Sequence, residues 1–415
     1  MSNELLADRH ELFRHNFPRT VAILGDVRLR VGEIEAAARD GVGASALTML
    51  YATPPCQGMS KNGRGKLLSE VRAGRKPAMD ERNRLIIPTI GLAASLRPEI
   101  VLLENVPEMA ETVIIGADGE VARILDLVRE GLGPEYIGRA EVVEFADYGV
   151  PQCRQRLITV FSRHPAMVEW FEASGTFLPE RTHGSQGRRG TCRWVTVRDA
   201  IAGMPPLDAS CEELARSEIP FHRVPTLDAM KYWWVKHTRA ERSAFDNQCV
   251  ECGWEGNPTH GATRDAAGVN RASRSTPLYC ERCDALLPRP HVKLGGRYEL
   301  MRGFTSAYKR MSYDKPASAL TRNLSYACSD NKVHPEQNRV LSLHEAFRLH
   351  TLDKYAYEWK RRDGRTVSDK LVREVVGESI PPLGLQGIVD HLLAIRAGTA
   401  TRPVVESEAP LLAQR

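Results

Sequence analysis

The sequence predicts an α/β fold, a parallel sheet flanked by helices with a second domain set into it. Three observations carry that expectation. Over roughly the first 165 residues, short apolar runs alternate with amphipathic stretches, as strands crossing through helices require. From Thr182 to Arg310 the periodicity fades while Gly, Arg, Pro and Cys become more frequent. Helical patterning then returns near Ala317, so the chain re-enters the first domain.

Ala46 to Ala52 (ALTMLYA) is a short apolar run of strand length. Arg82 to Leu96 has apolar residues at helical spacing and stops at Arg97-Pro98, because the residue before a proline is pushed out of the helical region. Ile100 to Leu103 reads as a second strand, running into Glu104-Asn105-Val106-Pro107. Glu120 to Leu132 reads as a helix ended by Gly133-Pro134, and strands are expected near Ala140–Phe145 and Leu157–Phe161. Further on, helices are expected at Leu343–Leu349 and Leu383–Arg396. These shifts divide the chain into a first domain over 1–181, an inserted domain over 182–315, a return segment over 316–397 and a tail over 398–415.

The 415 residues are 42% hydrophobic and 26% charged, with 57 basic against 52 acidic residues and a net charge of +5, which is compatible with a polyanionic partner without identifying one. No apolar run approaches the roughly 20 residues of a membrane span. The opening Met-Ser-Asn-Glu-Leu-Leu-Ala-Asp-Arg-His lacks the basic-then-apolar layout of a secretory signal. The expected location is the cytoplasm, where nine cysteines point to catalysis or metal binding before disulfides.

Thr53-Pro54-Pro55-Cys56-Gln57-Gly58-Met59-Ser60 follows the first strand. A cysteine just past a parallel strand sits where open α/β sheets place their chemistry. The next strand ends in Glu104, which brings a carboxylate to the same edge. Taken alone, Cys56 reads as a buried structural cysteine, and Glu104 as a capping or solvated acid. Paired, they suit a thiolate nucleophile with an acid or hydrogen-bonding group beside it.

Five ordered blocks resemble the DNA cytosine-5 methyltransferase family: Pro55-Cys56-Gln57; Glu104-Asn105-Val106; Gln152-Cys153-Arg154-Gln155-Arg156; Arg339 to Ala346; and Gly377-Glu378-Ser379-Ile380-Pro381-Pro382. The resemblance implies a Rossmann-like S-adenosylmethionine-dependent sheet with an inserted target recognition domain. It implies that the Cys56 thiolate adds to cytosine C6 and that Glu104 holds N3 and the exocyclic amine. Arg154 would steady the base or the thiolate, with Asn105, Gln152 and Arg156 in support. The target nucleotide is flipped out of double-stranded DNA, because the atom cannot be reached in a stacked duplex. In bacteria such an enzyme serves restriction-modification or phage defence at the nucleoid.

The implied methyl donor is S-adenosylmethionine. Asp26 in Gly25-Asp26-Val27 matches the adenine-binding acid, and Glu4, twelve residues before Asn16, stands where the ribose-binding acid is expected. Pro54 is expected to border the donor. Glu378 and Ser379 lie at its methionine end, where the family usually has Asn-Ala. The family's first strand and its Phe-x-Gly-x-Gly loop have no counterpart ahead of Glu4 or elsewhere. Three explanations stay open: a second polypeptide supplies them, the natural chain is longer at its start, or cofactor binding has been given up.

Cys249-Val-Glu-Cys252 and Cys280-Glu-Arg-Cys283 are two C-x₂-C pairs 27 residues apart. Two such knuckles complete a closed tetrahedral site for a structural Zn²⁺, with His260 and His291 as less favoured substitutes. They fall in the expected recognition domain, where Lys231 to Arg239, Arg188-Arg189 and Arg271 to Arg274 offer cations and rings for DNA or, equally, a solvated face. Two rival readings remain. An RNA cytosine methyltransferase would have a compact recognition region and a Cys-Phe-Thr signature, neither of which is present. A non-catalytic DNA-binding or regulatory subunit would account for the missing donor loop.

Overall fold

The structure is a computed structural model that describes residues 1–55, 81–115, 119, 121–187, 190–264, 270–272, 276–301, 306–329 and 331–401. Cys56 and the glycines after it, Glu120, Arg188, Arg189, Arg274 and most of the tail lie outside the described residues. The chain falls into two compact units, one of Met1–Arg30, Glu144–Gln155 and Thr182–Gly384, the other of Val31–Val143, Arg156–Arg181 and Leu385–Arg415. The expected change of character at Thr182 coincides with a unit boundary. The first thirty residues, however, group with the segments around the recognition region.

The chain opens with β1 (Ser2–Glu4), α1 (Ala7–Asn16), β2 (Ala22–Leu24) and α2 (Val27–Val42). The first two strands pair in parallel, with Ser2 opposite Ala22 and Glu4 opposite Leu24. Leu12 of α1 is buried among Val197, Leu343, Phe347, Val372 and Val376, and this apolar seam explains why the N-terminus groups as it does. Those partners sit on the helices Val197–Ile201, Leu343–Leu349 and Asp369–Glu378. The first two helices each begin at a capping box, Thr196 with Asp199 and Ser342 with Glu345, so their starts are set locally. A second core in the same unit gathers Leu207, Trp234, Val235, Phe245, Tyr308, Val333 and Val340. Trp234 and Val235 are therefore core side chains, so this part of the Lys231–Arg239 stretch is not a stacking surface; Lys231 and Arg239 pair with Asp228 and Glu255.

The other unit is built on a four-stranded sheet. Its members are β3 (Met49–Ala52), β4 (Ile100–Asn105), β7 (Ile137–Glu144) and β9 (Gln155–Ser162), in the order β3-β4-β9-β7. Between them lie α3 (Ile86–Leu96), the antiparallel hairpin β5 (Val113–Ile115) with β6 (Val121–Arg123), α4 (Ile124–Leu132) and the short β8 (Gln152–Cys153). β3 and β4 are parallel, as expected, but β9 runs antiparallel to β4. Side-chain alternation is the same in both directions, so periodicity cannot register this. The helix expected from Glu120 starts only at Ile124, because Val121–Arg123 belongs to the hairpin.

Every residue of β4 is buried. Val101 and Leu103 pack with Ile86 and Ala93 of α3, Ile124, Val128 and Leu132 of α4, and Leu157 and Phe161 of β9. Fully burying a side chain of this size contributes roughly 1.5–3 kcal/mol, so these contacts anchor β4 at the centre of its unit. Helix Pro382–Arg396 returns as expected: Arg396 pairs with Glu99 at 2.5 Å and the His391 ring meets Trp170 edge-on. Among the described residues no helix is long and apolar enough to cross a membrane.

Candidate active site

In the sheet unit, Ala52 stands opposite Leu103, so β3 and β4 end at the same edge. From there β3 runs into Thr53-Pro54-Pro55, the residues before Cys56, while β4 ends in Glu104 and Asn105. The Asn105 Nδ2 donates to the Pro54 carbonyl at 3.0 Å, and its Oδ1 accepts from the Val106 N–H at 2.8 Å. Asn105 thus ties the two strand ends together at Pro54.

Glu104 is 7% exposed, and Arg156 on β9 brings its Nε to 2.7 Å from the Glu104 Oε1. The antiparallel register, with Glu104 opposite Ile158 and Asn105 opposite Leu157, delivers Arg156 to this end of β4. A carboxylate and a guanidinium this deeply buried hold one another in a single geometry, and separating them is costly.

Arg154 is placed differently. Its side chain belongs to the other unit, 2% exposed, and donates from Nη1 to the Leu320 carbonyl at 2.8 Å and from Nη2 to the Gly377 carbonyl at 3.0 Å. Its backbone N–H donates to Glu144 at 2.6 Å. Gly377 is required at this approach, because a Cβ there would lie 2.1 Å from the Arg322 nitrogen. Gln152 is likewise buried: its Nε2 lies 3.3 Å from the Leu349 carbonyl and 3.2 Å from His350 Nδ1, and its Oε1 accepts from the Leu320 N–H. Arg154 and Gln152 hold backbone carbonyls of their own unit, and Arg156 pairs with the candidate catalytic carboxyl group. Strand β8 ends at Cys153 and β9 begins at Gln155, so the alternation that would align 154 with 156 is broken between them.

In the first unit, Glu4 ends β1 and Asp26 lies two residues past β2, so two carboxylates share the carboxyl edge of a parallel pair. Glu4 Oε1 accepts from the Leu6 N–H at 2.9 Å. Asp26 is gripped by Arg28, whose Nε lies 3.0 Å from Oδ1, and these hydrogen bonds hold its carboxyl below the usual carboxylate range. Two acceptor-only groups on adjacent strand ends suit a ribose diol and an exocyclic amine. Glu378 and Ser379 are engaged within the unit: Glu378 pairs with Arg9 at 2.7 Å, and Ser379 Oγ lies 2.9 Å from His350 Nε2. Their expected donor contacts would have to compete with these.

Cys249, Cys252, Cys280 and Cys283 come together with all four sulfurs within 4.8 Å of one another. The Cys249–Cys283 and Cys252–Cys280 sulfurs are 3.6 and 3.7 Å apart, near the edge of a tetrahedron with ~2.3 Å metal–sulfur bonds. Residue spacing made this site legible, because each knuckle is local. His260 instead stacks on Phe245 at 4.3 Å, and His291 Nδ1 lies 2.8 Å from the Arg289 carbonyl.

A buried carboxyl–arginine pair thus stands at the carboxyl edge of the parallel strands β3 and β4. Residues 1–194 match the family profile of C-5 cytosine-specific DNA methylases. The chain is similar to the Type II methyltransferase M1.HgaI of Avibacterium volantium, 26% identical over 401 residues that cover 94% of this chain and 91% of that protein. It is also similar to the Type II methylase M.HgiDII of Herpetosiphon aurantiacus, 26% identical over 337 residues, 80% of this chain and 72% of that one. In fold it resembles a prophage-encoded DNA modification methyltransferase of E. coli, with a TM-score of 0.51, 16% identity, and coverage of 95% of this chain and 91% of that chain. These likenesses, with the C-5 cytosine-specific DNA methylase match over residues 1–194, support a DNA cytosine-5 methyltransferase.

Proposed function

We propose that the chain transfers a methyl group from S-adenosylmethionine to C5 of a cytosine flipped out of duplex DNA, through a covalent Cys56 adduct. The observation that carries this reading is the Arg156-held Glu104 at the sheet edge from which Pro54 and Pro55, the two residues before Cys56 in sequence, depart. The C5 carbon of an aromatic cytosine is a weak nucleophile. Addition of the Cys56 thiolate to C6 saturates that carbon and shifts the C5–C6 π pair into a C4=C5 enamine with the exocyclic amine, whose C5 can take a methyl group. Glu104, fixed by Arg156, binds the N3 and amine edge, its protonated carboxyl group passing a proton to N3 as negative charge develops there. A base then removes the C5 proton, and the electron pair expels the thiolate.

When bound, S-adenosylmethionine supplies an electrophilic methyl on a sulfonium. Glu4 and Asp26 are the residues read as holding its adenosine, with Pro54, Glu378 and Ser379 as further contacts. A polypeptide carrying the family's first strand and glycine loop is added in one arm of the test. Labelled methyl is expected to pass from S-adenosylmethionine into duplex DNA and not into tRNA. Label in tRNA alone would favour the RNA rival, and DNA binding without transfer in either arm would favour the regulatory subunit. We read the activity as the protective half of a restriction-modification pair, which the names of the Type II relatives support, and extend that reading to phage defence at the bacterial nucleoid.

The four-thiol cluster is read as one structural Zn²⁺ site within the recognition segment. Metal analysis is expected to give about one zinc per chain, lost together with recognition-segment stability in Cys280→Ser/Cys283→Ser. A wild-type chain purified without zinc would contradict the assignment.

A further inference from the structure

We infer that the hairpin over residues 291–300 is the ribbon with which this protein reads the DNA major groove, Arg297 and Leu294 meeting base edges and Lys293 the backbone; this rests on the DNA reading above. His291–Leu294 and Arg297–Leu300 pair antiparallel across Gly295-Gly296, with Leu294 opposite Arg297 and Lys293 opposite Tyr298. Both glycines have positive φ, 55° and 84°, the geometry of a tight primed turn that twists with its strands.

The ribbon is rooted at one end only. His291 is buried, its ring 5.2 Å from Trp234 and 4.8 Å from Tyr298, and the Met301 N–H donates to the Pro290 carbonyl at 2.9 Å. Leu300 and Met301 pack on the core that holds Trp234 and Phe245. Everything between, Val292 to Glu299, is exposed, with Leu294 at 55%. A lone two-stranded ribbon is marginal in water, and one that also exposes Val292, Leu294 and Tyr298 lacks the partner that would cover them.

Charge and shape select that partner. The tip carries Lys293 and Arg297 against a single acid, Glu299, which suits a polyanion. Cross-strand pairing puts Val292, Leu294, Arg297 and Glu299 on one face and Lys293 and Tyr298 on the other, where the Lys293 ammonium sits 5.7 Å from the Tyr298 ring. Strands about 4.8 Å apart with their side chains fill a groove of about 12 Å, the major groove, and not one of about 6 Å. There a guanidinium can grip guanine O6 and N7 while apolar side chains meet thymine methyl groups.

The test uses the full chain and a duplex library with an internal randomised block, recovering bound duplexes by gel shift and sequencing them. This readout does not need the methyl donor. Wild type is expected to enrich a sequence motif. Arg297→Ala should relax preference at one position by about 10- to 100-fold, and Lys293→Ala should weaken all duplexes alike and lower the salt slope by about one. Zinc content and thermal midpoint should not change, because these side chains are exposed. Wild type that binds no duplex would remove the DNA reading and the ribbon's role with it. Wild type that enriches a motif which Arg297→Ala and Leu294→Ser leave unaltered would overturn the ribbon alone. Loss of self-association in Leu294→Ser with an unaltered motif would assign the ribbon to a second copy of the chain instead.

Discussion

Cys56→Ala is expected to abolish methyl transfer, lowering kcat by at least about 10⁴-fold, while duplex affinity stays close to that of wild type. The size of the effect follows from the chemistry. Without addition at C6 the ring stays aromatic and C5 has no electron pair to offer, so no arrangement of the remaining groups can substitute. Binding survives because it rests on phosphate contacts and groove readout away from the sulfur. A duplex carrying 5-fluorocytosine gives an independent readout. Fluorine at C5 cannot leave as a proton does, so the wild-type adduct persists through denaturing electrophoresis, and Cys56→Ala should give no such band. Glu104→Gln should still bind the duplex but turn over about 10²- to 10³-fold more slowly, the scale on which a fixed stabilising group acts. Turnover retained in Cys56→Ala would remove the nucleophile assignment.

What could be read in the sequence was whatever depended on neighbours along the chain. The Leu343–Leu349 helix lies where periodicity put it, because Ser342 and Glu345 cap its start within one turn. The four thiols converge because each C-x₂-C knuckle is self-contained, whatever the length between them. Features set by distant partners were not legible. The antiparallel run of β9 depends on its partner strand, and the burial of Trp234 and Val235 depends on a core assembled from residues as far away as Val340. The first thirty residues grouped with helices near the other end of the chain through Leu12, an apolar residue indistinguishable from others in sequence. The Gly295-Gly296 hairpin did carry a local signal, two glycines between alternating strands, but its flanks hold too few apolar residues to mark a buried sheet.

The two arginines of the Gln152–Arg156 block should separate cleanly when each is removed. Arg156→Ala leaves the buried Glu104 without its guanidinium, which costs about 3–5 kcal/mol of stability, and turnover in the folded fraction should fall by about 10³-fold, since the carboxyl group is no longer held against the base. Arg156→Lys keeps the charge but not the planar fork, so it should recover stability further than it recovers turnover. Arg154→Ala also destabilises, because two charge-assisted bonds to the Leu320 and Gly377 carbonyls are lost at roughly 1.5–3 kcal/mol each. Its folded fraction, however, should keep kcat, because that guanidinium holds backbone and not the carboxyl group. Urea unfolding together with single-turnover kinetics at low temperature distinguishes the two. If Arg154→Ala lost turnover while Arg156→Ala kept it, the carboxyl–arginine pair on β4 and β9 would be a packing feature, and the arginine that serves the reaction would be the one in the other unit.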